Sequence, residues 1–200
     1  MSGILWAALL VVLSLHAGTA QAASPAALGG AFWQGLLQPL LNPPHALSLL
    51  ALGLLFGRHG RAAWQFLGVF AVAMAAGLTA IALAVGATPA VDILLANAAV
   101  AGLLVALQSP LRNWLGWLMA AMTGAAVGLD SPPTATTIAA GNASLGGSGL
   151  GACVTLAIVT GGAMLIRSDW QRIGLRIVGS WIAASAVLVL ALRFSAGLQH

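Results

Sequence analysis

Few residues in this chain can do chemistry, and three of them fall at matching places. His45 follows Pro43 and Pro44 in "QPLLNPPHALSLL"; Asp92 opens "VDILLANAAV"; Asp130 closes "GAAVGLD". One imidazole and two carboxylates are donors that a divalent transition metal accepts. An ionisable group at the edge of a strongly apolar segment is costly and points to an ion path. An acid beside a helix start is also stabilised by the helix dipole alone, which is the structural alternative for Asp92. The same dipole at the start of the helix holding His45 favours neutral imidazole, the form that binds metals, yet repels a cation. Gln38, Asn42 and His45 are spaced four and three apart and share a face if one helix carries them. Asn97 lies five residues beyond Asp92 and deeper. His45, Asp92 and Asp130 are therefore the expected metal ligands, with Gln38, Asn42 and Asn97 lining the substrate path.

The elements that hold these residues follow from composition. Of the 200 residues, 60% are hydrophobic and only 5% charged, against about 25% charged in a soluble domain. So little charge does not solvate a globular surface, and lipid is the expected solvent. The net charge of +4 comes from seven arginines against three aspartates, with no lysine or glutamate. It is not a nucleic-acid signal, because the arginines sit in short loops between apolar runs. The single cysteine, Cys153, lies within an apolar run and reads as a packing residue, so a disulfide framework is excluded.

Residues 1–23 read as a secretory signal peptide, with an apolar stretch from Ile4 to Leu15 and Ala20-Gln21-Ala22 at the cleavage position. The alternative is an uncleaved first helix, since that segment has no Lys or Arg before its apolar stretch. Residues 24–200 then form one transmembrane domain with hydrophobic segments near 31–56, 64–86, 90–108, 113–129, 146–166 and 174–194. The fold expected is all-α: a polytopic six-helix transmembrane bundle. With the mature N-terminus outside, Arg58, Arg61, Arg112, Arg167, Arg172 and Arg176 fall on the inside, and Arg193 alone is outside. Trp64, Trp114 and Trp170 lie next to the inside loops, at the depth indole prefers. The outer loops expected are 87–90 and 130–145, and both mature termini are extracytoplasmic. "NAS" at Asn142 matches a glycosylation acceptor by chance.

Within the first span, Ala46 to Phe56 is too short to cross, so Ala31 to Leu41 must contribute. Pro39, Pro43 and Pro44 interrupt it. Asn42 followed by Pro43 suits an N-cap and first helical position, so a second half-helix is expected there. Broken helices are where transporters commonly hold substrates, and the structural alternative is a proline-capped helix start. The pairs Gly53/Gly57, Gly124/Gly128 and Gly147/Gly151 each put two glycines on one helix face, expected to pack helix on helix within one bundle.

"GGSG" at Gly146 to Gly149 has the form of an intramembrane serine protease motif, but the only histidine after Ser148 is His200. No HExxH, nucleotide loop or Cys/His cluster is present, and the chain is expected not to be an enzyme.

The order of signal, proline-rich first span and six crossings resembles the HupE/UreJ family, small membrane proteins associated with hydrogenase and urease maturation and regarded as nickel or cobalt permeases. The family's first span carries His-Pro-x-x-x-x-Asp-His. Here the stretch is Gln38-Pro39-Leu40-Leu41-Asn42-Pro43-Pro44-His45, with glutamine at the first histidine and proline at the aspartate. "PAVDILLANAAVAGLLVAL" resembles the third span, with Asp92 at its acid. "GAAVGLDSPP" resembles the His-Gly-x-Glu-x-Pro segment, with Asp130 at the acid and Val127 where histidine is expected. The resemblance implies a permease in the bacterial inner membrane for a divalent ion as cargo, no resident cofactor, and a metalloenzyme maturation system as partner. A non-transporting accessory protein that anchors a partner complex is the alternative, and a homo-oligomer is left open.

Overall fold

Prolines decide where the first helix stops. The computed structural model describes residues 25–83, 90–108, 112–131, 137–166 and 168–197. Helix α1 (Pro25–Leu41) carries Pro39 inside it, and α2 (Pro43–Gly57) begins immediately after Asn42. Asn42 is extended (φ −90°, ψ 109°) because the residue before a proline is driven out of the helical region. Pro43 and Pro44 occupy the first two helical positions, where their missing N–H groups cost nothing. The two helices meet at 69°. The break expected at Asn42 is therefore present.

Five helices follow: α3 (Arg61–Ala82), α4 (Val91–Leu107), α5 (Asn113–Leu129), α6 (Ile138–Met164) and α7 (Asp169–Gly197). Among the described residues there are seven helices and no strand, an all-α fold. Helices α3, α6 and α7 are long and apolar enough to cross a membrane, and the bent pair α1–α2 makes a fourth crossing if it counts as one. Helices α4 and α5 have 17 residues each. At 1.5 Å per residue that is about 25 Å, short of a hydrocarbon core of about 30 Å without their flanks. The signal-peptide segment lies outside the described residues.

One expectation is corrected. Residues 130–145 are not all loop: α6 starts at Ile138, capped by the Thr137 side chain, which accepts from the Ala140 backbone N–H at 3.3 Å. The first two turns of α6 are built from Ala, Gly, Asn and Ser, which read as polar loop but pack as a small-residue helix face. Asn142 thus lies in a helix.

Helix directions follow from cross-contacts. Ser48 meets Leu94 near the starts of α2 and α4, and Arg58 reaches Leu104 and Gln108 at their far ends, so α2 and α4 are parallel. Gly53 and Gly57 face Val159–Ala163, so α6 runs with them. Phe66, Phe70 and Met74 match Gly116, Gly124 and Gly128, so α3 and α5 are parallel. Helix α7 runs against α4, since Asp92 meets Arg193 and Arg176 meets Ala106. The starts of α2, α4 and α6 thus share one end with the finishes of α5 and α7.

Apolar side chains gain little by leaving lipid for one another, so close backbone approach must hold the helices together. All three glycine pairs expected at packing faces are there. A Cβ at Gly124 or Gly128 would strike the backbone of α3 at Phe70 or Met74. At Gly147 or Gly151 it would strike α1 at Phe32 or Leu36, and at Gly53 or Gly57 it would strike Val159 or Ala163 of α6. Gly102 and Gly179 do the same for α4 and α7. The core between them holds Phe56, Phe66, Phe70, Leu49, Leu52, Leu94 and Leu156, all buried. Gly60 turns the chain between α2 and α3 at φ +53°, a region open to glycine.

Candidate functional site

The starts of α2 and α4 and the finish of α5 bring a short polar seam into the bundle. At its mouth the Nε2–H of His45 donates to Asp130 Oδ2 at 3.1 Å. His45 is fully buried and the Asp130 side chain is 16% exposed, so the pair closes the seam from one side only. An ionised carboxylate only accepts, which assigns the proton to Nε2. Nδ1 of His45 is buried with no hydrogen-bond partner, so in the neutral ring it is a free lone pair.

One turn below, the Ser48 hydroxyl lies 2.7 Å from Pro44 O and 2.9 Å from Leu94 O, tying α2 to α4. Deeper still, the Asn97 amide donates to Thr123 Oγ1 at 3.1 Å, joining α4 to α5. Both side chains are buried. Buried polar groups in a lipid-embedded bundle persist when paired, and these pairs line one boundary among α2, α4 and α5.

The expected trio of metal ligands is only partly together. His45 and Asp130 form a pair. Asp92 lies at the same end but turns to α7, where Arg193 Nε donates to its Oδ1 at 2.8 Å. Asp92 sits half-exposed in the first turn of α4, within reach of the last turns of α7, so a cation from α7 supplies its counter-charge. Among the described residues no three His, Cys, Asp or Glu side chains come together as a metal cluster. Gln38, Asn42 and His45 would share a face only on one continuous helix; the 69° bend divides them, with His45 buried in the bundle and Gln38 and Asn42 half-buried. Gln38 and Asn42 line an open groove of ≈ 550 Å³ with Gln34, Leu41 and Pro43. Asn97 is an interior partner of Thr123 rather than part of that groove.

Ser48 and Thr123 carry no signal in the sequence as site residues. Single hydroxyls in apolar runs look like helix-packing residues, and only their partners, supplied by other helices, reveal the seam. Ser148, the serine of "GGSG", is buried against α1. Its Oγ is 2.7 Å from Gln38 Oε1 and 3.4 Å from Gly35 O.

The opposite end is basic. Arg58 donates to Leu104 O at 3.4 Å and to Gln108 O at 2.9 Å, and Arg176 donates to Ala106 O at 3.2 Å. They meet the unpaired carbonyls at the finish of α4, where a cation is favoured. Burial, and then the neighbouring Arg172 charge, lower the Arg58 pKa from the ordinary guanidinium value. Trp64, Trp114 and Trp170 are exposed at this same end.

The geometry is that of an apolar helical membrane protein with a histidine–carboxylate pair at one end and arginines at the other. Searches of curated proteins and of solved structures give no match. The profile of the family described as HupE / UreJ protein matches residues 9–190, nearly the whole sequence. That coverage includes both segments that carry His45 and Asp130, and the chain belongs to the HupE/UreJ family.

Proposed function

We propose that this chain is a small non-enzymatic permease that moves a divalent metal ion, of the nickel or cobalt class, along the seam that begins at His45 and Asp130. Family membership supports a metal-related accessory or permease role in general. The observation that carries the permease reading is the His45–Asp130 pair, with one imidazole nitrogen left free beside it. One imidazole nitrogen, its ring held by the Asp130 carboxylate, holds such an ion weakly, and water supplies the rest. Weak holding suits passage, because an ion that binds too well does not leave. The ion is cargo here, not a resident cofactor.

The proposed setting is the bacterial inner membrane, with a signal peptide, six crossings and both mature termini on the extracytoplasmic side. The alternation of helix directions supports an even set of crossings. The arginines and tryptophans at one end support the orientation.

The test is metal-dependent uptake in cells expressing the protein. The double variant His45→Ala with Asp130→Asn is expected to abolish it, and equal uptake by wild type and variant removes the reading. A second reading is an accessory protein that anchors a metalloenzyme maturation partner without transport. It is favoured by the thin ligand set, two side chains rather than three. A stoichiometric co-purifying partner, with no flux in reconstituted vesicles, selects it.

A further inference from the structure

We propose that Arg58, Arg172 and Arg176 form the headgroup site of an anionic phospholipid, whose acyl chain lies in the apolar groove between α4 and α7. The site is at the opposite end from His45 and Asp130 and does not depend on what the polar seam carries.

These three arginines have charge without counter-charge. Arg58 caps the finish of α2, and Arg172 and Arg176 lie one turn apart near the start of α7. Two of them converge on the finish of α4, Arg58 donating to Leu104 O and Gln108 O, and Arg176 to Ala106 O. The carbonyls at a helix finish together carry about half an elementary negative charge, so they offset only part of two guanidiniums. Arg172 has no side-chain hydrogen bond or ion pair among the described residues, and its charge is near enough to act on Arg58. The ion pairs among the described residues are His45–Asp130 and Asp92–Arg193, both at the other end. Asp169, in the first turn of α7, pairs with none of the three. All three side chains are exposed. A guanidinium has five N–H donors, of which Arg58 spends two and Arg176 one on α4. The remaining donors are of the kind that takes a phosphate group in a forked grip.

The same two helices open a groove toward the lipid. Its volume is ≈ 600 Å³, and Ala99, Val100 and Leu103 of α4 line it with Ala183, Val187 and Leu188 of α7. Val100, Leu103, Val187 and Leu188 are exposed there. Ala183 and Val187 are seven and eleven residues beyond Arg176, so they share its helix face. Leu103 is one turn before Ala106, the acceptor of Arg176. The groove thus leads from the cluster along α4 and α7 into the apolar part of the bundle. Trp170, exposed beside the cluster, sits where indole meets headgroups.

Clustered arginines beside a membrane span attract acidic headgroups. A free phosphate answers the charge and leaves the groove empty. A phospholipid supplies both an anion and a chain, which is what makes it the partner that fits.

The test is thermal unfolding of the full-length protein in a nonionic detergent, titrated with phosphatidylglycerol, phosphatidylcholine or inorganic phosphate at fixed ionic strength. The expected result is a saturable rise in Tm with phosphatidylglycerol that the other two do not give. Arg172→Gln with Arg176→Gln weakens the apparent affinity for phosphatidylglycerol about tenfold or more. Arg172→Gln alone, whose side chain has no partner to lose, serves if the double variant does not fold. Ala184→Phe, which fills the groove from an exposed position, acts in the same direction. Arg61→Gln with Arg112→Gln removes equal charge from the same end and leaves the affinity near the wild-type level. An equal rise with phosphatidylcholine or inorganic phosphate overturns the proposal, as does equal weakening by the two arginine pairs. Unchanged affinity in a folded Arg172 or Ala184 variant overturns it too.

Discussion

His45 and Asp130 are 85 residues apart in the chain and 3.1 Å apart in space. The start of one helix and the finish of another meet there, and the neighbouring carboxylate of Asp92, at the same end, is turned away to Arg193. This division of the two acids makes a prediction that the pattern of charges alone does not.

Asp130→Asn is expected to reduce metal uptake about tenfold or more, the scale on which removing a partner of a metal-binding histidine acts. Asp92→Asn is expected to leave uptake near the wild-type level. Uptake assays of the two single variants at matched expression check it, and equal loss in both returns Asp92 to the path.

The Asp92–Arg193 pair is a weak brace. The Asp92 side chain is 51% exposed and that of Arg193 45%, so solvent and headgroups screen the pair. A double-mutant cycle with Asp92→Asn and Arg193→Gln is expected to give a coupling below about 1 kcal/mol in thermal unfolding. A larger coupling means that the pair holds α7 in place rather than only decorating the rim.

Thr123→Val keeps the shape of the side chain and deletes its oxygen. The Asn97 amide then loses its partner in a buried position, at an expected cost of about 1–3 kcal/mol. Adding Asn97→Leu removes the stranded amide and is expected to recover part of the loss. Chemical or thermal unfolding of the single and double variants measures both.

Glycines sort into two kinds. Gly124→Val and Gly128→Val drive a side chain into the α3 backbone and are expected to cost about 1–3 kcal/mol or to abolish folding. Gly162 has open space where a Cβ would go, so Gly162→Ala is expected to be neutral or to stabilise by up to about 1 kcal/mol. The comparison of melting temperatures separates close packing from mere glycine abundance.

What the sequence makes legible is what local chemistry controls. Proline geometry fixes the break at Asn42 whatever surrounds it, and paired glycines four apart mark the faces where helices meet. Membrane character follows from the scarcity of charge. The first turns of α6 were not legible, because "IAAGNASL", Ile138 to Leu145, has the composition of a loop and becomes helical by fitting against α1. Its one local signal was Thr137 three residues before Ala140, a helix-capping spacing. The fate of Asp92 was not legible either, since its partner lies 101 residues away. Matching depth correctly put three ionisable residues at one end, but depth carries no information about rotation around each helix axis. Rotation is what separated Asp92 from the other two.

The most extensive helix contacts are α3 with α5, α1 with α6 and α4 with α7, and each of these interfaces is built on glycines. Helix α2 belongs to none of these partnerships: His45 ties it to Asp130 at the finish of α5 and Ser48 ties it to Leu94 of α4, while Asn97–Thr123 joins α4 to α5 directly, and α5 otherwise touches α2 and α4 only sparsely. The α3–α5 duet therefore meets α2 and α4 along a thin joint that carries two of these polar contacts. A sliding of the α3–α5 duet would break those two hydrogen bonds while leaving the glycine contacts inside each of the three partnerships intact. Widening of that joint would uncover His45, Asn97 and Thr123, all buried now, without parting any of the three glycine-built interfaces.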